Sequence, residues 1–148
     1  MNGKATVEIE KFITQAVADI KQQVKSRSFR AAVKMRNAAN DVLSGSRSGR
    51  IYRVPGSRAE YQASAPGEPP AVRTGHFREG WAERVYAEEA AKEVTVHSTI
   101  ESKQKVGKYL LGEILENGTR RGMAARPYQE RIKEKAMPEI ESIYNEAY

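Results

Sequence analysis

The sequence predicts an α+β domain, and three observations carry that reading. Residues 5–44 hold neither Gly nor Pro and repeat apolar residues at helical spacing, whereas from Trp81 the period changes to two. The last third returns to helical spacing behind a Pro-led start. The predicted order is a long N-terminal helix, a small antiparallel sheet of about three to four strands, a short helix and a kinked C-terminal helix. At 148 residues the chain fits one domain: a long basic helix over 1–45, a flexible connector with a Pro-rich arm over 46–80, and sheet plus helices over 81–148.

In the first element Ile9, Ile13, Ala16, Ile20 and Val24 form a stripe that resumes at Ala31, Met35, Ala38 and Val42. Unbroken, such a helix spans roughly 60 Å, more than the diameter of a compact domain of this size. Part of it is therefore expected to project or to pack on a neighbour. Ser26-Arg27-Ser28 interrupts the stripe and predicts a bend or break, and Gly45 is placed to end the helix in a left-handed conformation.

The connector Ser44–Arg50 is basic and Gly-containing, but it lacks the spacing and the Lys-Ser/Thr pair of a phosphate-binding loop. Ile51–Val54 reads as a short strand. Within Ser57–Gly75, Pro66, Pro69 and Pro70 favour an extended, stiff arm, since proline joins neither a helix interior nor a central strand.

Beyond the arm, Trp81, Glu83, Val85 and Ala87 alternate with Ala82, Arg84 and Tyr86. Val94 and Val96 continue the pattern after Glu88–Lys92, which predicts an antiparallel hairpin. Added to the Ile51 strand it makes a sheet of about three strands. Val106–Glu116 is expected to be helical and Asn117-Gly118-Thr119 to stop it. Arg120–Arg126 is a basic loop. Pro127 suits the first position of the last helix, with Ile132, Ala136, Ile140 and Ile143 inward, and Pro138 is expected to kink or divide it.

Composition narrows the function. Only 39% of residues are hydrophobic, with three Phe and one Trp, a lean core that calls for partner surfaces or further copies of the chain. There is no Cys, so disulfides and thiolate metal sites are excluded. No apolar run exceeds three residues, which predicts no membrane span and no signal-peptide core. The formal charge of +6 is uneven, with 12 Lys/Arg against 4 Asp/Glu in residues 1–58 and 13 against 15 in the remainder. That polarity suits nucleic acid, an acidic partner, or head-to-tail stacking of subunits; a well-solvated surface is the plain alternative.

Catalytic constellations are not found. His76 and His97 have no carboxylate or second histidine at ligand spacing, and both read as surface or half-buried residues. The run Glu130-Arg131-Ile132-Lys133-Glu134-Lys135 is a solvated helical face. Neither a cofactor nor a metal is expected. Lys21, Lys25, Arg27, Arg30, Lys34 and Arg36, followed by Arg47, Arg50, Arg53 and Arg58, are dense enough to contact phosphates without reading sequence. Only Phe29 and Tyr52 supply aromatic interleaving, which is thin for a single-strand binder.

Two patches carry a resemblance. The first is Ser64-Ala65-Pro66-Gly67-Glu68-Pro69-Pro70, then Arg73-Thr74-Gly75 and Phe77. The second is Tyr109, then Leu115-Glu116-Asn117-Gly118-Thr119, then Ala125-Arg126-Pro127-Tyr128. In order and separation, behind a basic N-terminal helix, they resemble the minor tail-component, or head–tail joining (neck), proteins of lambdoid-type siphophages. Those show a Pro-rich arm, a Glu-x-Gly-Thr turn and an Arg-Pro-aromatic start to the last helix. Tyr128 stands where Phe is more usual.

The resemblance implies a non-enzymatic virion structural protein, made in the bacterial host cytoplasm, that joins a ring around the DNA channel. Its partners would be further copies of itself and neighbouring neck or tail proteins, with non-specific DNA contact and no membrane. Under that implication Pro66, Gly67, Pro69, Pro70, Thr74, Gly75 and Phe77 are candidate subunit contacts, as are Glu116, Gly118, Thr119, Arg126 and Pro127. The second set equally suits a folded turn that shapes the start of the last helix. Lys25, Arg27, Arg30, Lys34, Arg47 and Arg50 would face DNA or an acidic partner. A non-specific DNA-binding accessory protein is the alternative.

Overall fold

A computed structural model describes residues 2–91 and 93–148, with side chains from Val17 onward apart from Lys92. The chain is α+β, as its periodicities predict. The order is α1 (Asn2–Ser44), β1 (Ile51–Arg53), β2 (Glu60–Gln62), α2 (His76–Glu79), β3 (Trp81–Glu89) and β4 (Val94–Ser102). Then come β5 (Lys105–Val106), β6 (Tyr109–Leu110), α3 (Leu111–Asn117) and α4 (Gln129–Tyr144).

The α1 helix is the axis on which the rest is laid. Its C-terminal half packs antiparallel to α4, with Arg30, Lys34 and Asp41 paired to Glu146, Glu139 and Lys135 in descending order. These pairs are exposed and set register more than they add stability. The buried residues of α1, which packs on the hairpin as well as on α4, are mostly small: Ala31, Ala32, Ala38 and Ala39, joined by Ala136 on α4 and filled out by Leu43, Ile132 and Ile143. Alanine lets the backbones approach closely, which is how so lean a composition still closes a core. Ile9, Ile13 and Ala16 of the apolar stripe lie outside the described side chains.

No break occurs at Ser26-Arg27-Ser28, and α1 continues through it. The polar pair turns inward because the C-terminal tail supplies its partners. Arg27 is only 5% exposed, and its guanidinium donates to the carbonyls of Glu146 (2.7 Å) and Ala147 (2.6 Å) while lying 3.9 Å from the Tyr148 ring centroid. The Ser28 hydroxyl sits 2.9 Å from that of Tyr144, and the Ser28 carbonyl accepts from Ser98 Oγ at 2.7 Å.

The expected left-handed end at Gly45 is also replaced: Gly45 is not among the glycines with positive φ. Arg47 folds back and donates to Val42 O (2.9 Å), a carbonyl of the last helical turn, and to the carbonyls of Gly45 (2.7 Å) and Ser46 (2.9 Å) just beyond it.

The hairpin lies where predicted. β3 and β4 pair antiparallel from Trp81↔Ser102 to Glu89↔Val94, closed by Ala90 N–H to Glu93 O at 2.8 Å. The ribbon runs along α1: Arg36 donates to both oxygens of Glu83 at 2.8 Å, and near the tip Lys21 reaches Glu89 at 3.9 Å. Ile51–Arg53 does not join it. That strand pairs with Glu60–Gln62, so three two-stranded ribbons stand where one sheet was expected. The short loop between β1 and β2 offers a nearer partner at lower closure cost.

Val106–Glu116 is likewise not one helix. Gly107, at φ 60°, starts a two-residue turn that pairs Val106 with Tyr109, and only Leu111–Asn117 is helical. α4 begins at Gln129, two residues after Pro127, and continues unbroken past Pro138. Pro138 is exposed, so water can take the carbonyl it leaves unbonded while Ile132, Ala136 and Ile143 hold the helix to α1.

The tail lock on α1 makes a direct test. Arg27→Ala should lower unfolding stability by about 1–3 kcal/mol, because it removes the charged donor that ties the C-terminal tail to α1. Arg27→Lys should recover little, since one ammonium cannot reproduce the fork. Urea melts of the two variants, equally destabilised relative to the parent chain, are the expected result.

Candidate functional site

The two segments of the resemblance, 64–77 and 115–128, are far apart in sequence and meet in space. Their junction is Tyr128, 1% exposed, whose ring makes edge-on contacts with Phe77 (5.5 Å between centroids) and Trp81 (5.8 Å). Phe77 and Trp81 touch each other at 5.6 Å and complete a triangle of rings. The Tyr128 hydroxyl donates to Gly112 O on α3 at 3.0 Å, and burial pushes its pKa up. Gly112 has no alternative there, since a Cβ would stand 2.7 Å from that hydroxyl.

Glu116 accepts hydrogen bonds from the backbone N–H groups of Tyr128 (2.8 Å) and Gln129 (3.2 Å). It thus serves two of the otherwise unpaired donors at the start of α4, where a negative charge also meets the favourable end of the helix dipole. Gly118 (φ 74°, ψ −171°) takes a conformation open essentially to glycine alone, and a Cβ there would come within 2.6 Å of Met123 O. Thr119 closes the turn, with its N–H donating to Met123 O at 2.9 Å and its Oγ1 accepting from Met123 N at 3.2 Å. Arg126 N–H donates to Leu115 O, its guanidinium stays on the nearby carbonyl of Ala124, and Pro127 is half-buried beside it. Of the two readings of this segment, the geometry supplies the folded turn.

The arm is docked on its own chain. Pro69 and Pro70 are buried, so the free subunit does not present them to a neighbour. Their carbonyl side is held by Arg47, which donates to Pro70 O from both Nε (3.2 Å) and Nη2 (2.9 Å). Gly67 N–H reaches Ala125 O at 3.2 Å, and Arg131 donates to Gly67 O at 3.2 Å, tying the arm to the second segment.

Glu68 is the arm's internal lock. It accepts from the Ser48 hydroxyl, from Ser48 N–H (3.0 Å) and from Ala65 N–H (2.8 Å). The Ser48 hydroxyl bond, then those from the Ala65 and Ser48 amides, hold its carboxyl down to about 2. Gly75, buried at φ 87°, turns the chain into α2. Only Pro66, Gly67 and Thr74 of the arm's candidates are exposed; Phe77 is half-buried in the ring triangle.

Most cations expected on a DNA-facing helix are engaged within the chain. Arg27 is buried, Arg30 holds both oxygens of Glu146 at 2.8 and 2.7 Å, Lys34 reaches Glu139 at 3.5 Å, and Arg47 binds carbonyls. The Arg30 hydrogen bond also lowers the Glu146 pKa. Lys25 is exposed, and Arg50 lies 5.9 Å from the Tyr52 ring. Arg73 belongs to the first patch of the resemblance without a contact role, and Arg78 and Lys105 carry no signal in the sequence.

Those three, with Arg126, line a cleft of about 460 Å³ whose apolar wall includes Leu43, Phe77, Leu111 and Leu115. No carboxylate lines it. Among the described residues no helix is long and apolar enough to cross a membrane, and no group of three or more His, Cys, Asp or Glu is placed to hold a metal ion. Comparison with protein-family models, curated proteins and solved structures finds no match.

The low pKa of Glu68 fixes a pH dependence. A carboxylate held below its unfolded value adds stability that is complete above about 4.5 and lost as pH falls through about 2. Glu68→Gln should therefore melt at lower temperature than the parent chain at neutral pH. Thermal melts from pH 7 down to pH 2 should show the two curves converging as acid is added.

Proposed function

We propose that this chain is a non-enzymatic structural subunit of a tailed-bacteriophage particle, acting in head–tail joining or tail completion as a component of a homo-oligomeric ring. One observation carries the reading. The two segments that resemble the neck proteins converge on a single construction, with Tyr128, Phe77 and the Gly67–Ala125 bond joining them and the same basic cleft beside both. A chance likeness of two loops gives no reason for them to meet. Under this reading the chemistry of the two segments shapes an assembly surface, and Pro69, Pro70, Glu116 and Gly118 act by building it.

Two further features support assembly. The α1 helix is exposed on every side over residues 17–23, with Val17 at 46% and Ile20 at 50%, so its apolar stripe lacks cover in the single chain. Roughly 28 Å of helix lies N-terminal to Lys21, which pairs with Glu89 near the hairpin tip.

DNA in a channel would meet a different surface from the one the sequence suggests. With Arg27, Arg30, Lys34 and Arg36 engaged, the open cations include Lys25 on α1 and, on the ribbons and loops, Arg53, Arg58, Arg73, Lys105, Arg120 and Arg121, all exposed. On the β1–β2 ribbon Tyr52 and Tyr61 stack at 6.0 Å beside Arg50. This arrangement favours the accessory DNA-binding alternative only as sequence-independent contact to phosphates.

Electron microscopy of particles made without this gene tests the reading. DNA-filled heads beside unjoined or malformed tails are expected. Normal, infectious particles would remove it.

A further inference from the structure

The acidic tip of the β3–β4 hairpin and the basic cleft lie at opposite ends of the same ribbon. β3 starts at Trp81, against the Phe77 ring that lines the cleft, and β4 ends two residues before Gln104, another lining residue. Nine residues of strand carry the tip about 30 Å away. The tip reads Glu88-Glu89-Ala90-Ala91-Lys92-Glu93. Glu88 and Glu89 are largely exposed, and Ala90 and Ala91 stand open to solvent. Its turn is already closed by Ala90 and Glu93, so docking it orders little.

We propose that the hairpin tip of one copy docks in the cleft of the next. The inference rests on the ring reading and names the surfaces that would join. Charge complementarity carries it: Arg73 and Lys105 are open cations on a cleft that, among the described residues, no carboxylate lines, with Arg126 and the Glu79-paired Arg78 beside them, and the tip sequence carries three glutamates against one lysine around two alanines. The side chains of Arg73 and Lys105 are exposed and have no bonded partner among the described residues. The alanines are small enough to meet the apolar wall of Leu111 and Leu115. Because donor and acceptor surfaces differ and lie at opposite ends, the contact is head-to-tail and closes into a ring or runs on as a filament. The stretch of α1 beyond the tip then lies along the neighbour, which covers Val17 and Ile20.

The chain has no cysteine, so site-specific cross-linking is clean. Thr74→Cys on the cleft and Ala91→Cys on the tip, placed in one chain and oxidised at high protein concentration, should give a ladder of disulfide-linked multimers. Either substitution alone should give no more than a background of dimers. The charge reversals Arg73→Glu/Lys105→Glu and Glu88→Lys/Glu89→Lys should each weaken self-association at least tenfold by light scattering. Mixing the two reversed proteins should restore a heterodimer through the swapped pair.

Oligomers that form without the ladder, or reversals that leave assembly untouched, would overturn the tip-in-cleft contact and leave the ring reading standing. A chain that stays monomeric and uncross-linked at millimolar concentration would overturn both.

Discussion

A buried phenol is the constraint around which the cleft end of the molecule is organised. Tyr128 immediately precedes α4, yet its ring belongs to the core and its hydroxyl must find an acceptor there. The acceptor is Gly112 O, reachable only because residue 112 has no side chain. Meeting that demand brings α3 onto α4 and sets Glu116 over the open amides of the helix start. The two faces of the contact then fix the arm through Phe77 and the hairpin through Trp81. Four elements distant in sequence thus share one anchor, and the basic cleft is the space left beside them.

Periodicity made the elements legible; pairing was not. The stripe of Ile132, Ala136 and Ile143 gives α4 and its buried face directly, and the alternation from Trp81 gives the hairpin with its turn. The partner of Ile51–Arg53 is invisible locally, because Glu60–Gln62 is only three residues long, with Tyr61 alone between two polar residues and too short a run for period two to register. Val106–Glu116 misleads for the opposite reason: its apolar spacing is helical, but a left-handed Gly107 creates a turn that periodicity does not weigh. Arg27 and Ser28 look like an interruption of a stripe. They are its most deeply bonded polar members, because their partners arrive from residues 144–147, more than a hundred positions later.

The candidate site was legible in outline. Its two segments stand out through proline and glycine chemistry, and Glu116, Gly118 and Thr119 form a turn whose roles follow from residue type. Glu68 left a fainter signal, a carboxylate three residues after Ala65 in the spacing of a capping box. The electrostatic surface could not be read in this way. Counting charges placed the basic face on α1, whereas folding pairs Arg30, Lys34 and Arg36 with glutamates that sequence leaves unassigned. The cations left open come from loops that no sequence window contains together, and it is their convergence that gives the cleft its sign.

The most direct measurement of the Tyr128 anchor is a double-mutant cycle between Gly112→Ala and Tyr128→Phe, read by chemical denaturation. On this account Gly112→Ala costs about 2–3 kcal/mol in the parent chain, because the new methyl overpacks against the hydroxyl. With the hydroxyl gone the same change should cost distinctly less, leaving a coupling of about 1 kcal/mol or more. Additive losses would contradict the account, since they would mean that the phenol and residue 112 do not constrain one another.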